Sequence, residues 1–110
     1  MSQELDKQVA RLMGWHHELD AWYRPDGQSA EISTIPAYST DIASAMEVVE
    51  WLRKRYSNVG MGAANGWSVS AWDVDENGDA HRIIQGAAME LPEAICRAAL
   101  EAVASASTNL

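Results

Sequence analysis

Apolar residues repeat at helical spacing in three segments of the chain, which predicts three amphipathic helices. The first covers residues 3–13, with Leu5, Val9 and Leu12 on one face and Asp6 among the polar residues outside. Gly14 follows it, where a helix end favours a residue that tolerates positive φ. This element is therefore expected to bury one stripe.

The second and third helices have clearer boundaries. Thr40 is the expected N-cap of the second, Asp41 adds a negative charge to its first turn, and the basic residues 53–55 close it. Its apolar face is wide, so we expect it to contact more than one element or a second subunit. The third helix begins near Leu91 and Pro92, because proline is tolerated in a first turn.

Between these two helices, alternating apolar and polar residues predict a β-hairpin. Residues 77–78 are Asn-Gly, a pair that tolerates positive φ twice and so indicates a two-residue turn. Such a turn sets Asp73 opposite Arg82 and Trp72 opposite Ile83. Both pairings are chemically favourable, which supports this register.

The remaining segments are less regular. The hairpin strands are expected at residues 66–74 and 80–85, preceded by a Gly/Ala-rich loop at residues 58–65. Short strands are expected at residues 19–23 and 30–35, with turn residues between them. The order helix, weak strands, helix, hairpin, helix predicts an α+β fold in which a small antiparallel sheet with a central β-hairpin is layered between helices, an α-β-α sandwich.

Length and composition limit the class of protein. The 110 residues suit one α+β domain, residues 1–110, with residues 105–110 as a flexible tail. One cysteine excludes an internal disulfide, and no apolar run has the length of a membrane span or the pattern of a signal peptide. Sixteen acidic against eight basic residues, a net charge of −8, argue against direct binding of a nucleic-acid backbone. We therefore expect a cytoplasmic protein without a membrane partner.

The candidate catalytic and metal-binding residues are weak. Residues 73–79 resemble the start of a calcium loop, but Ile84 stands where the loop needs a bidentate glutamate. His16 and His17 are adjacent, so on a strand they point to opposite faces. Cys96 has no base at a recognisable spacing and is expected to be a buried small side chain. The sequence predicts no catalysis, no cofactor and no metal site.

Aromatic and basic residues are the more informative set. The chain has five Trp and no Phe, so the Trp side chains either fill the core or form a binding surface. Trp67 and Trp72 fall on opposite faces of one predicted strand, which helices on a single side of the sheet cannot both bury. Residues 22–24 join two aromatic rings to a cation, and residues 53–55 are a concentrated basic cluster. The predicted ligand-binding residues are Trp22, Tyr23, Arg24, Arg53, Trp72 and Arg82.

Three stretches of the chain resemble a known family. They are Gly14-Trp15, residues 38–50 (YSTDIASAMEVVE) and residues 92–102 (PEAICRAALEA). The resemblance, to the phage ABA sandwich domain family of small phage and prophage proteins, covers most of the chain. It implies a sheet layered between helices and the cytoplasm of a bacterial host, and it supplies no active site to transfer. Glu90 departs from the pattern, since relatives often have a better-capping threonine there.

Two functions are consistent with these features. The first is a phage accessory protein that counters host defence by binding and sequestering a small anionic nucleotide-type signal in a pocket between subunits of a homo-oligomer. Trp22, Tyr23 and Trp72 would stack on the ligand, while Arg24, Arg53 and Arg82 would neutralise its phosphates. The alternative is an acidic inhibitor that covers the basic nucleic-acid-binding surface of a host defence protein. A purely structural or regulatory phage protein is a third possibility.

Overall fold

A computed structural model describes residues 2–18, 21–23 and 35–108. The described elements are three helices and five strands. They are α1 (Ser2–Leu12), β1 (His16–Glu18), β2 (Ala21–Tyr23), α2 (Ile42–Arg55), β3 (Asn58–Ala63), β4 (Trp67–Val74), β5 (Ala80–Ala88) and α3 (Leu91–Thr108). Strands β1 and β2 form a small hairpin, and the other three form an antiparallel sheet in the order β3-β4-β5. The fold is a small α+β sandwich, as the sequence predicts.

Helix α3 is the centre of the molecule, because it packs on β4 and β5 and also contacts α1 and α2. Small side chains make this possible: Ala94, Ala98 and Ala99 are fully buried. Gly86 of β5 lies directly beneath the helix, and a Cβ built there would be 2.2 Å from the backbone nitrogen of Ala98. The helix therefore lies closer to β5 than any residue larger than glycine would allow.

The hairpin of β4 and β5 has the predicted register over only half its length. Ser70 faces Gln85, and Ala71 faces Ile84, as a two-residue turn requires. Beyond them Trp72 stands opposite two residues, a β-bulge that shifts Asp73 to face His81. The prediction that Asp73 directly faces Arg82 is therefore wrong.

The turn itself explains the shift. The backbone N–H of Asp75 donates to the Asp79 carbonyl, and the backbone N–H of Gly78 donates to the Asp75 carbonyl. These two bonds leave residues 76–78 as a three-residue loop. The Asp75 carboxylate accepts the backbone N–H groups of Asn77 and Asp79, each at 2.9 Å. Only Gly78 of the Asn-Gly pair has positive φ, 85°. An aspartate side chain thus selects a longer turn than Asn-Gly alone indicates.

Residues 58–63 form a strand where the sequence predicts a loop. Glycine is unfavourable in strands because it has no side chain to pack, which is why the pattern is misleading. Here Gly60 is useful, since a Cβ at that position would lie 3.2 Å from the indole ring of Trp72. The ring of Trp72 therefore covers Gly60 on the neighbouring strand.

Helix α1 buries one predicted face and one unpredicted residue. Val9 and Ala10 are completely buried, and Gly14 ends the helix with φ 101°. Asp6, expected outside, is only 8% exposed, and its carboxylate accepts the backbone N–H of Ser39 at 2.7 Å. The carboxylate thus satisfies the backbone of the segment that leads into α2, a partner that no helical periodicity reveals.

Helix α2 begins one residue later than predicted. Asp41, not Thr40, is the N-cap: its carboxylate accepts the Ser44 N–H at 3.0 Å and the Ser44 hydroxyl at 2.7 Å. These bonds hold the pKa of Asp41 below its usual value. Helix α3 continues to Thr108, into the segment predicted as a tail, and most of the strand predicted at residues 30–35 lies outside the described residues.

Candidate functional site

A cleft of about 490 Å³ separates α2 from strand β3. It is lined by Met46, Val49, Arg53, Ser57, Asn58, Val59 and Met61. The three helix residues share one face because they are three and four positions apart. Met46 and Met61 are 45% and 40% exposed, so the cleft has apolar walls that are open to water.

Arg53 supplies the positive charge of the cleft. Its side chain is 65% exposed, and its guanidinium lies 3.5 Å from the carboxylate of Glu50, itself 61% exposed. Exposed pairs at this distance contribute little, so the guanidinium is available to a stronger anionic partner. Arg53 also belongs to the last turn of α2, where basic side chains compensate the negative end of the helix dipole.

Ser57 and Asp73 fix the chain at the point where α2 leads into β3. The Asp73 carboxylate accepts the backbone N–H of Ser57 at 2.8 Å and its hydroxyl at 3.1 Å. The backbone bond from Ser57 and the neighbouring Arg82 hold the pKa of Asp73 below its usual value. One wall of the cleft is therefore held by an ionised carboxylate on β4.

Arg82 is close to this carboxylate, and two of its guanidinium nitrogens already donate hydrogen bonds within the protein. Its Nε donates to Asp73 at 2.6 Å, and a terminal nitrogen donates to the Arg55 carbonyl at the same distance. The guanidinium also lies 4.8 Å from the ring centroid of Tyr56. The Asp73–Arg82 pair predicted from a simple register thus forms across the bulge, where Arg82 has φ 53°. Arg82 therefore mainly links β5 to the end of α2.

The other predicted ligand residues lie in two separate parts of the fold. Trp72 is half-buried, with its ring over Gly60, and is not part of the hydrophobic core that contains or contacts the other four Trp. Trp22 is 5% exposed and lies on β2, where its ring packs against His17 at 4.7 Å and under Arg11. The neighbouring Tyr23 ring faces His16, and Arg24 lies outside the described residues.

Of the predicted residues that the structure describes, only Arg53 lines the cleft; Arg82 lies near the end of α2, and Trp72 lies on the opposite face of the sheet from the cleft. Trp22 and Tyr23 lie in the β1–β2 hairpin. Sequence reasoning missed Met46, Met61 and Asn58 as cleft residues. Helical spacing places Met46 on the apolar face of α2, and the glycines of residues 58–65 indicate a loop, so only a correctly predicted β3 would reveal the cleft.

The acidic hairpin tip is built by hydrogen bonds within the turn. Besides the two backbone groups that it accepts, the Asp75 carboxylate lies 2.6 Å from Nε2 of His81. These partners hold the pKa of Asp75 below its usual value, the His81 bond being the largest cause. Among the described residues, no group of three or more His, Cys, Asp or Glu side chains is placed to hold a metal ion.

Two buried groups have raised pKa values. Cys96 is fully buried, and its burial together with the nearby Asp6 carboxylate raises the thiol pKa to about 12. Burial likewise raises the pKa of Tyr38 to about 12, while its hydroxyl accepts the indole N–H of Trp15 at 3.1 Å. Both groups are protonated and inert at neutral pH, so each acts as a packing residue.

Fold and cleft together define a small α+β sandwich domain with a partly apolar, partly cationic groove. The family model of the phage ABA sandwich domain matches residues 8–100. The chain therefore belongs to the phage ABA sandwich domain family and is a small phage protein. Comparison with curated proteins and with solved structures gave no match. Within the described part of the chain, no helix is both long and apolar enough to cross a bilayer.

Proposed function

We propose that the protein binds a small anionic ligand of the nucleotide type in the cleft between α2 and β3. The observation that carries this proposal is the exposed guanidinium of Arg53, which stands beside two exposed methionine side chains. A phosphorylated nucleotide needs a cation for its phosphate and apolar contacts for its base. Methionine adapts to the shape of an aromatic ring and makes favourable sulfur–aromatic contacts.

The cleft also offers polar groups for orientation. Ser57 and Asn58, both polar residues, line it together with Arg53. A cleft of this size is within the range of small-molecule sites, which combine apolar walls with a few polar groups. Trp72, on the strand paired with β3, covers Gly60 on the opposite face of the sheet from Val59 and Met61, so it does not line the cleft.

The biological role we propose is sequestration of a host defence signal in the bacterial cytoplasm. A phage protein that only removes a signal needs affinity and abundance, and it needs no nucleophile or general base. Cysteine has the most nucleophilic side chain, and the one cysteine of this chain, Cys96, is buried and protonated. A binding role therefore agrees better with these residues than a catalytic one.

The experiment is a pair of binding measurements on the purified protein. Cyclic di-AMP and ADP-ribose serve as probes, and adenosine, which lacks phosphate, serves as the control ligand. Binding of either probe should raise the melting temperature, because a ligand that binds only the native state stabilises it. Failure of both phosphorylated probes to change the melting temperature, or an equal effect of adenosine, contradicts the proposal.

Arg53→Gln tests the site itself, with Arg97→Gln as the matched control. Arg97 is also an exposed helix arginine, paired with Glu93 at 2.9 Å on α3, so both variants remove one surface charge. Loss of a charge-assisted contact in the cleft should weaken probe binding by about tenfold or more. The control should bind as the unaltered protein does. Equal affinities of the two variants would place the ligand elsewhere.

The acidic-inhibitor alternative is favoured by a different observation, the charge of −8, together with the exposed Glu76 and Asp79 at the hairpin tip. It requires a basic partner and association that weakens steeply with salt. Glu76→Gln with Asp79→Asn should slow such association without changing nucleotide binding. The two functions are therefore distinguished by which variant loses binding: Arg53→Gln should weaken nucleotide binding, and the Glu76→Gln, Asp79→Asn double variant should weaken association with a basic partner.

A further inference from the structure

We propose that two copies of the chain pair through the free edges of their β3 strands, forming one continuous antiparallel sheet across a two-fold axis at Met61. Strand β3 is an edge of the sheet, since the order is β3-β4-β5. Among the described residues, β4 is its one strand partner. The pairing is inferred from β3 and α2 themselves and is independent of the proposed function.

The hydrogen-bond alternation along the sheet decides which groups face the free edge. The backbone N–H of Asp75 points to β5, where it donates to Asp79. Alternation along β4 therefore directs Ser68, Ser70 and Trp72 toward β3. Their partners in the register are Gly62, Gly60 and Asn58, so these three use their backbone groups inside the sheet.

The intervening residues Val59, Met61 and Ala63 thus direct their N–H and C=O groups outward. The bond from the Ala64 N–H to the Gly66 carbonyl, at the other end of β3, agrees with this alternation. An antiparallel copy centred on Met61 would place Val59 opposite Ala63 of the second copy. Each of the three outward-facing residues then lies opposite an outward-facing residue of the second copy, and the three pairs form about six backbone hydrogen bonds.

The β3 edge lacks the features by which proteins usually protect an edge strand. Its six residues contain no charged side chain and no proline. The opposite edge, β5, differs: it has a bulge opposite Trp72 and carries His81 and Arg82 beside it. Of the two edges, β3 is therefore the one suited to pairing.

Charge and exposed apolar surface favour a second copy as the occupant. Two chains of net charge −8 repel each other, so they associate best through a surface that carries no acids, and β3 is such a surface. The apolar side chains Ile42, Met46 and Met61 are all 40–46% exposed along α2 and β3. A two-fold axis at Met61 brings the two copies of this surface together, and each α2–β3 cleft then meets its counterpart across the axis.

The test uses the position of the backbone N–H. In Ala63→Pro the outward N–H is lost, while the β3–β4 ladder needs no donor at that residue. Ala63→Ser is the matched control, because it keeps the N–H and adds a comparable small change; Ala63 does not line the cleft. Sedimentation equilibrium over a wide concentration range should give 24.0 kDa for the unaltered protein, twice the 12.0 kDa of one chain.

Ala63→Pro should weaken the dimer by about 100-fold, because symmetry removes two hydrogen bonds, whereas Ala63→Ser should not. Should the proline variant fail to fold, Met61→Lys provides a second test, since it places like charges opposite each other on the axis, with Met61→Gln as its uncharged control. A monomeric unaltered protein, or a dimer that Ala63→Pro and Met61→Lys leave intact, overturns the proposal. A dimer that binds no nucleotide refutes only the proposed function, and a monomer that binds one refutes only the pairing.

Discussion

The contact of α3 with β5 and the contact of α2 with β3 differ in the size of the helix side chains that form them. The first is a close seam, in which Gly86 lies against the backbone of Ala94 and Ala98. The second is an open cleft, in which Met46 and Met61 remain exposed. Both pair a helix with a glycine-containing strand. Small residues on the helix close the seam, whereas long flexible side chains leave the cleft accessible.

The difference indicates separate roles for the two contacts, one in stability and one in binding. Helix α3 also carries the fully buried Ile95 and Cys96, and we expect it to contribute most to stability, because buried area and dense packing determine the cost of a substitution. We expect the exposed Met46 and Met61 side chains of the cleft to contribute less to stability. We therefore expect stability to depend on α3, and binding to depend on α2 and β3.

The largest effect is expected from truncating a fully buried side chain of α3. Ile95→Ala should reduce the free energy of unfolding by about 3 to 4 kcal/mol, because it removes a completely buried side chain from a packed core. Met46→Ala, also on a helix face, should change it by less than about 0.5 kcal/mol. Urea unfolding measures both, and similar losses would show that the cleft is not the weaker region.

Overpacking the seam should have the next largest effect. Gly86→Ala places a Cβ 2.7 Å from the Ala94 carbonyl and closer still to Ala98, so helix α3 must move. We expect a loss of about 2 to 3 kcal/mol. Gly62→Ala is the control, because its Cβ would meet only the Ser68 hydroxyl at 3.9 Å. A tolerated Gly86→Ala would mean that α3 packs less closely than the structure shows.

The burial of Cys96 predicts very slow modification by thiol reagents. Its pKa of about 12 leaves almost no thiolate at pH 7, and the side chain is fully buried. The reaction with a disulfide reagent should therefore occur through unfolding and accelerate in Gly86→Ala in proportion to the lost stability. Rapid labelling of the native protein would contradict this account of the burial of Cys96.

The smallest effect concerns acid stability beside the cleft. Because the folded pKa of Asp73 is lowered, its contribution is fully present above the ordinary aspartate value near 4 and is lost as the pH falls through the folded pKa. Asp73→Asn should therefore be less stable than the unaltered protein at pH 7, and the gap should narrow below pH 4. A gap independent of pH would show that the Asp73 charge has no role.

Much of the helical structure could be predicted because it depends on local patterns. Gly14 ends α1 through its positive φ, and Pro92 marks the start of α3 through a rule that applies to any helix. The positions of Asp6, Gly60 and Gly86 could not be predicted, since each depends on a neighbour distant in the chain. An aspartate that accepts a backbone N–H from residue 39 looks in sequence like any surface acid.

The candidate site was predictable only in its charge. The sequence indicated Arg53 because three basic residues stand together, and the structure places this residue in the cleft. The hairpin register also indicated the pairing of Arg82 with Asp73, but it gave no indication of the bond from Arg82 to the Arg55 carbonyl or of the burial of Trp22. Whether a cation is free or already paired depends on residues that fold against it.

The sequence alone determined the α+β class, the three helices, the central hairpin and the family, because these depend on periodicity, on capping residues and on motifs local to the chain. Only the tertiary structure decided that residues 58–63 form a strand, that Trp72 lies outside the core, and that a cleft opens beside Arg53. The physical reason is that strand pairing and burial are set by distant partners. A glycine-rich segment becomes a strand only when a neighbouring strand supplies the hydrogen bonds and a ring to cover it.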